Sequence, residues 1–201
     1  MSKNQSYRYI CLMKKVVIID NYDSFTYNLV HYLEDLNCEV FVYRNDEFEL
    51  DEIAKFDTII LSPGPGIPSE AGLLNQVIST YGSTKKILGI CLGHQAIGEV
   101  YGGSILNLNN VFHGVATTIK TTVSDELLFK NLPQQFEVGR YHSWVINSVS
   151  FPDDLEVTSV AQNGEIMSIR HKKFNVKGVQ FHPESILTPH GKTILSNWIN
   201  D

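Results

Sequence analysis

No stretch of this 201-residue chain is apolar for long enough to cross a bilayer. Runs such as Val16-Val17-Ile18-Ile19 stop far short of the roughly 18 to 20 residues a spanning helix needs, so no membrane segment is expected. Cysteine is scarce: Cys11, Cys38 and Cys91 are odd in number and widely spaced. They offer neither a CxxC metal pattern nor a disulfide framework, which fits a reducing cytoplasm. Positive charge is also short, with 16 Lys and Arg against 22 Asp and Glu, a formal charge of −6. With no basic cluster to track a phosphate backbone, nucleic acid is not expected as a partner. Residues 1–12 carry Lys3 and Arg8 but lack the apolar core of a secretory signal. Met13, directly before Lys14-Lys15, reads as an alternative start, which makes 1–12 an N-terminal extension and 13–201 the working domain. Zinc-ligand spacing, a P-loop and a GxGxxG are all missing, and Gly64-Pro65-Gly66 lacks the third glycine of a dinucleotide fingerprint. Neither a metal nor a nucleotide cofactor is implied.

What remains is ordinary globular composition, 43% hydrophobic, 10% aromatic and 19% charged, on a chain of one-domain length. From Lys15 onward, short β-rich runs alternate with stretches whose apolar residues recur at three and four, the pattern of βαβ units around a parallel sheet. Strands are predicted over Lys15–Asp20, Glu39–Tyr43, Asp57–Leu61 and Lys86–Ile90, with helices over Tyr27–Leu36, Ser69–Tyr81 and from Leu92 to about Tyr101. A short helix is expected around Asp51–Lys55. Beyond Gly103 the texture turns to strands: Val115–Val123, Phe136–Val138, Leu155–Ala161, Ile166–Arg170 and Val176–Phe181, closed by a helix over Lys192–Ile199. With no repeat or linker, the reading is a single α/β domain: a mixed, mostly parallel sheet flanked by helices, with extra strands in its second half.

The sharpest local feature is Gly89-Ile90-Cys91-Leu92-Gly93, between a predicted strand and a predicted helix. It is the thiol counterpart of the G-x-S-x-G nucleophile elbow, whose crowded turn needs small residues two before and two after the nucleophile. At the start of a helix, free N–H groups and the helix dipole favour the thiolate. A nucleophilic thiol needs a base, and of seven histidines only His182 has a carboxylate close by, in His182-Pro183-Glu184 after a strand. Pro183 keeps His182 out of helical geometry, so Glu184 can fold back and fix the imidazole tautomer. His94 reads as structural, because the helix carries it away from the thiol; His31 and His171 read as solvent-facing or locally bonded. His142, in Arg140-Tyr141-His142-Ser143, stays open. Oxyanion donors are expected at Gly64, in the stiff Ser62-Pro63-Gly64-Pro65-Gly66 loop, and at Leu92, next after the nucleophile.

Taken together, these residues resemble the class I (triad) glutamine amidotransferases, and within them the glutaminase subunits of anthranilate synthase and aminodeoxychorismate synthase. The resemblance spans Lys14 to Trp198. It is carried by Asp20-Asn21-Tyr22-Asp23-Ser24-Phe25-Thr26-Tyr27-Asn28-Leu29, the Ser62–Gly66 loop, the cysteine elbow continued by His94-Gln95, Arg140-Tyr141-His142-Ser143, and Gly178-Val179-Gln180-Phe181-His182-Pro183-Glu184-Ser185. The first of these is similar to the chorismate-linked subunits rather than to the glutaminase parts of GMP or carbamoyl phosphate synthetases. The resemblance implies a flavodoxin-like fold, a Cys91, His182, Glu184 triad, and a glutamine pocket lined by Gly64, Gly66, Leu92, Gln95, Ser143 and Trp144. It implies L-glutamine as substrate, no metal on this subunit, and a chorismate-using synthase subunit to receive the ammonia. Val115 stands where many relatives carry Lys after His-Gly, and Trp144 where many carry Leu.

A domain of this length has no room for a chorismate site, and ammonia freed at neutral pH would be lost as ammonium. A heteromer is therefore expected, with the Asn21–Phe25 loop at its interface and Asp23 or Ser24 capping the helix that follows. Tryptophan and folate synthesis both remain open for the partner. The rival readings are a cysteine γ-glutamyl hydrolase and a non-catalytic regulatory relative.

Overall fold

The computed structural model describes residues 13–201; the 1–12 extension and Cys11 lie outside the described residues. Four strands of the first half, β1 (Lys14–Asp20), β2 (Cys38–Arg44), β3 (Thr58–Leu61) and β4 (Lys86–Ile90), lie parallel. Helices α1 (Thr26–Asp35), α2 (Leu74–Tyr81) and α3 (Leu92–Val100) cross between or follow them. The second half contributes β5 (Ile105–Asn107), β6 (Val115–Thr121), β7 (Gln135–Arg140), β8 (Trp144–Ile146), β9 (Leu155–Ala161), β10 (Ile166–His171), β11 (Val176–Val179) and α4 (Gly191–Asn200). One nine-stranded sheet runs β2-β1-β3-β4-β11-β10-β9-β6-β7, and β5 pairs with β8 apart from it. β11 joins β4 in parallel, and from there to β7 every pairing is antiparallel.

Alternating residues of the central strands feed two cores, because successive side chains of a strand point to opposite faces. On one face Val16, Ile18, Ile60, Leu88 and Ile90 pack with Leu29 and Leu33 of α1 and Ile194, Leu195 and Trp198 of α4. On the other, Val17, Ile19, Ile59, Leu61 and Ile87 pack with Leu74, Val77 and Ile78 of α2 and Ala96 and Ile97 of α3. The three layers explain why the strands read as unbroken apolar runs: both of their faces are covered. Among the described residues no helix is long and apolar enough to cross a membrane.

The structure corrects two sequence expectations and adds two strands. The helix expected over Ser69–Tyr81 is broken into a 3₁₀ turn, Pro68–Glu70, and α2. The break falls at Gly72, whose φ of +52° holds it against the Asn45 carbonyl, and that carbonyl accepts from Leu73 N–H at 2.8 Å. Neither Asp23 nor Ser24 caps α1: the cap position is Phe25, whose N–H donates to Asp23 Oδ1, while Thr26 Oγ1 donates to buried Asp20. Strands β5 and β8, three residues each, went unread because so short a run shows no period.

Candidate active site

Strand β4 delivers Cys91 to the carboxyl edge of the sheet, where open α/β folds build their sites. Cys91 sits between β4 and α3 with φ +51° and ψ −98°, a conformation that costs a non-glycine residue about 1–3 kcal/mol and that the surroundings must hold in place. They do so by close packing. A Cβ on Gly89 would lie 2.4 Å from the Gly93 carbonyl oxygen, and one on Gly93 would lie 2.6 Å from Leu61. The thiol ends up 6% exposed, with Gln180 Nε2 directed at Sγ across 3.6 Å.

His182 follows β11 and is anchored by its backbone N–H, which donates to the Gly139 carbonyl of β7. Its Nδ1 meets Glu184 Oε1 at 2.6 Å, with both side chains buried. Since the carboxylate only accepts, Nδ1 carries the proton and Nε2 is left for the thiol. No hydrogen bond of good geometry occupies Nε2, yet Cys91 is near enough for a thiolate charge to act on the ring. Burial alone opposes the imidazolium, but the Glu184 carboxylate and Cys91 together outweigh it and raise the His182 pKa well above 6.5. Tyr141 and Phe25 wall the ring, with centroids 4.8 and 6.4 Å away.

Next to the thiol opens a cleft of about 140 Å³, lined by Gly64, Pro65, Gly66, Cys91, Gln95, Tyr141, His142, Ser143 and Trp144. A larger hollow of about 720 Å³ runs along residues 121–134, with neither Cys nor His in its lining. The Gly64 loop is held by Asn21, whose Nδ2 donates to the Ser62 carbonyl at 2.7 Å, while Asn45 Nδ2 donates to Asn21 Oδ1 at 3.0 Å. A Cβ on Gly64 would strike Asn21 at 2.5 Å and Leu92 Cδ2 at 2.9 Å, so this loop and the residue after the nucleophile are in direct contact. Leu92 itself is buried and absent from the cleft lining, which leaves its backbone N–H as the group it can present. Among the described residues no group of three or more His, Cys, Asp or Glu is placed to hold a metal.

A strained cysteine elbow and a glycine loop share one cleft, with a buried His and Glu pair beside the thiol, an arrangement able to support acyl chemistry on a carbonyl. Residues 17–201 match the model of the family glutamine amidotransferase class-I. The chain belongs to that family. Among solved structures, a putative GMP synthase subunit from Thermoplasma acidophilum superposes with a TM-score of 0.84 at 26% identity, covering 94% of this chain and 93% of its own. Anthranilate synthase component 2 of Cyanophora paradoxa is 47% identical over 92% of this chain and 98% of its own length. The same component of Pseudomonas aeruginosa is 46% identical over 92% and 94%. A multifunctional tryptophan biosynthesis protein of Phycomyces blakesleeanus is 49% identical, and there the chain spans only 24% of the relative's length.

Around the candidate site of this amidotransferase-family chain stand residues to which the sequence pattern assigns no catalytic role. Gln180 directly follows the end of β11, with its Nε2 directed at Cys91 Sγ and its Oε1 accepting from Gln95 Nε2 at 3.3 Å. Asn21 and Asn45 belong to no catalytic pattern and matter because they brace the Gly64 loop. His94 is buried against Gly178, and burial pushes its pKa down to about 3. His142 is likewise held neutral, at about 3, by burial and by the Arg140 charge.

These two neutral histidines predict acid sensitivity. Unfolded, each takes a proton near pH 6.5; folded, neither does until about pH 3. The unfolded state therefore binds more protons in that window, and each histidine removes about 1.4 kcal/mol of stability per pH unit as pH falls through it. Denaturation midpoints are expected to drop from pH 7 to pH 5, with a shallower slope in His94→Leu; equal slopes would reject the assignment.

Proposed function

We propose that the chain is the glutaminase subunit of anthranilate synthase, hydrolysing L-glutamine and passing ammonia to a chorismate-using synthase subunit. The reading is carried by the buried Cys91, His182 and Glu184 constellation opening on the Gly64 cleft, in a chain whose full-length relatives include anthranilate synthase component 2. Cys91 Sγ attacks the side-chain carboxamide carbon, and the thiol proton passes to His182 Nε2. The oxyanion is received by the N–H groups of Gly64 and Leu92, each contributing about 3 to 4 kcal/mol. His182 returns the proton to the departing nitrogen, the C–N bond breaks, and ammonia leaves a γ-glutamyl thioester. Water then attacks the thioester, giving its proton to His182, and the C–S bond breaks to release glutamate and the thiol. Glu184 keeps the imidazole in the working tautomer and stabilises its charged form. Gly66, Gln95, Ser143 and Trp144 shape the cleft around the rest of the glutamine.

The partner reading is supported by exposed Phe25, which packs against His182 with centroids 6.4 Å apart, and by exposed Tyr22 and Tyr27 in the same stretch of chain, which a second subunit would cover. Aminodeoxychorismate synthase would use the same glutaminase chemistry. The test is glutamate release from glutamine, alone and with each synthase subunit plus chorismate. Anthranilate formed only with the anthranilate partner supports the proposal, while activation by the aminodeoxychorismate partner alone overturns the tryptophan assignment.

Glu184→Gln is expected to lower kcat roughly 100-fold. Because the carboxylate raises the His182 pKa, its loss should move the acid limb of the kcat/KM profile to lower pH. An unmoved limb would remove Glu184 from its role.

A further inference from the structure

We propose that Arg140 and Glu165 are positioning residues for the glutamine side of the cleft, acting through His142 on the Trp144 carbonyl. The inference rests on the glutaminase reading above. Arg140 ends β7 with 1% exposure, its guanidinium 3.5 Å from the centroid of Phe112. One guanidinium nitrogen pairs with Glu165, at the turn between β9 and β10, and Nε donates to His142 Nε2 at 3.1 Å. A guanidinium has no acceptor, so His142 Nε2 must be the bare nitrogen and the proton must sit on Nδ1. That proton is donated to the Trp144 carbonyl at 3.0 Å.

The Trp144 carbonyl also accepts from Gln95 Nε2 at 2.8 Å, and Gln95 in turn reaches Gln180, which is directed at Cys91 Sγ. Two donors on one carbonyl fix the plane of the peptide that follows Trp144. The backbone before it is held as well: Phe112 N–H donates to the His142 carbonyl at 3.0 Å and Leu108 N–H to the Ser143 carbonyl at 2.7 Å. Ser143 and Trp144 line the cleft within this frame. Neither Arg140 nor Glu165 lines it, so their effect on glutamine runs through the tautomer they impose. A lysine would not reproduce it, because only the planar fork of arginine serves Glu165 and His142 at once.

Two measurements on the complex with its synthase partner test the proposal. The first is glutaminase kinetics. Arg140→Met and Glu165→Ala are expected to raise the glutamine KM by about tenfold or more with kcat within about threefold, while Glu165→Gln, which still accepts from Arg140, stays near wild type. A KM unchanged in Glu165→Ala, or a fall in kcat alone, overturns the proposal. Should Arg140→Met fail to fold, Glu165→Ala decides. Iodoacetamide alkylation of Cys91 should keep its wild-type rate in these variants, and a parallel fall would indicate general disruption and count against positioning. The second measurement, the ¹⁵N shifts of His142, does not depend on turnover. A single Nδ1–H tautomer in the wild type that becomes mixed in Glu165→Ala supports the proposal even if the wild type hydrolyses no glutamine, and an Nε2–H tautomer in the wild type overturns it.

Discussion

Cys91→Ser should leave the fold intact and reduce glutamate release by roughly 10⁴-fold or more. Serine fits the volume at the elbow and demands nothing new of a backbone already at φ +51°. Its hydroxyl, however, is far less readily ionised than a thiol, and this site is built to exchange charge with His182 rather than to strip a proton from an alcohol. The His182 pKa is raised in part by the Cys91 charge, so the variant should also show an imidazole that titrates lower. With the synthase partner present, product formation from supplied ammonium is expected to continue, since only the glutamine step is lost. Glutamate release within tenfold of wild type would mean that another group attacks, and the catalytic assignment would fail.

Gly191→Ala is expected to be the most damaging of the conservative substitutions, although Gly191 lies outside the cleft lining. It is the first residue of α4, and a Cβ there would sit 1.7 Å from the Pro183 carbonyl oxygen. Neither side of that contact yields easily. α4 is fixed by Ile194, Leu195 and Trp198, all buried in the core, while Pro183 joins the two residues whose side chains meet at 2.6 Å. Overpacking at so rigid a contact costs about 3 kcal/mol or more, which for a domain of this size lowers Tm by roughly 6 to 12 °C. Whatever protein folds should release glutamate more slowly, because relief of the clash moves Glu184 relative to His182. A Tm within about 2 °C of wild type would show that the helix and the turn are less tightly held than their packing indicates.

Both substitutions act at the same site, yet only the first could be chosen from the sequence. The elbow is a local device: the glycines that permit it stand two residues to either side of Cys91, and the strand and helix that flank it carry their own hydrophobic periods. His182-Pro183-Glu184 is equally local, since one proline and a spacing of two suffice to bring carboxylate and imidazole together. The same holds for the central strands, whose unbroken apolar runs announce burial on both faces.

The remainder depends on residues far apart in the chain. Gly191 meets Pro183 only because α4 folds back onto the sheet, and Gln180 gains a role only when β11 lies beside β4. Asn21, Asn45 and Ser62 form one brace from three separate loops. The break before α2 falls at Gly72, and it is the Asn45 carbonyl, brought there from a distant loop, that holds that glycine at positive φ. Arg140 stands in the sequence only as part of the Arg140-Tyr141-His142-Ser143 motif and Glu165 carries no signal there; the fold buries the first and sets the second beside it.

The sequence by itself determined the α/β class, the Cys91 elbow and the pairing of His182 with Glu184, because a strand, a tight turn and a spacing of two each leave a local pattern. The tertiary structure alone decided how the Gly64 loop is held, which nitrogen of His142 carries the proton, and that Gly191 has no room for a side chain. Hydrogen bonds and close contacts between distant segments have no period and no fixed spacing, and they exist only once the sheet has ordered its strands.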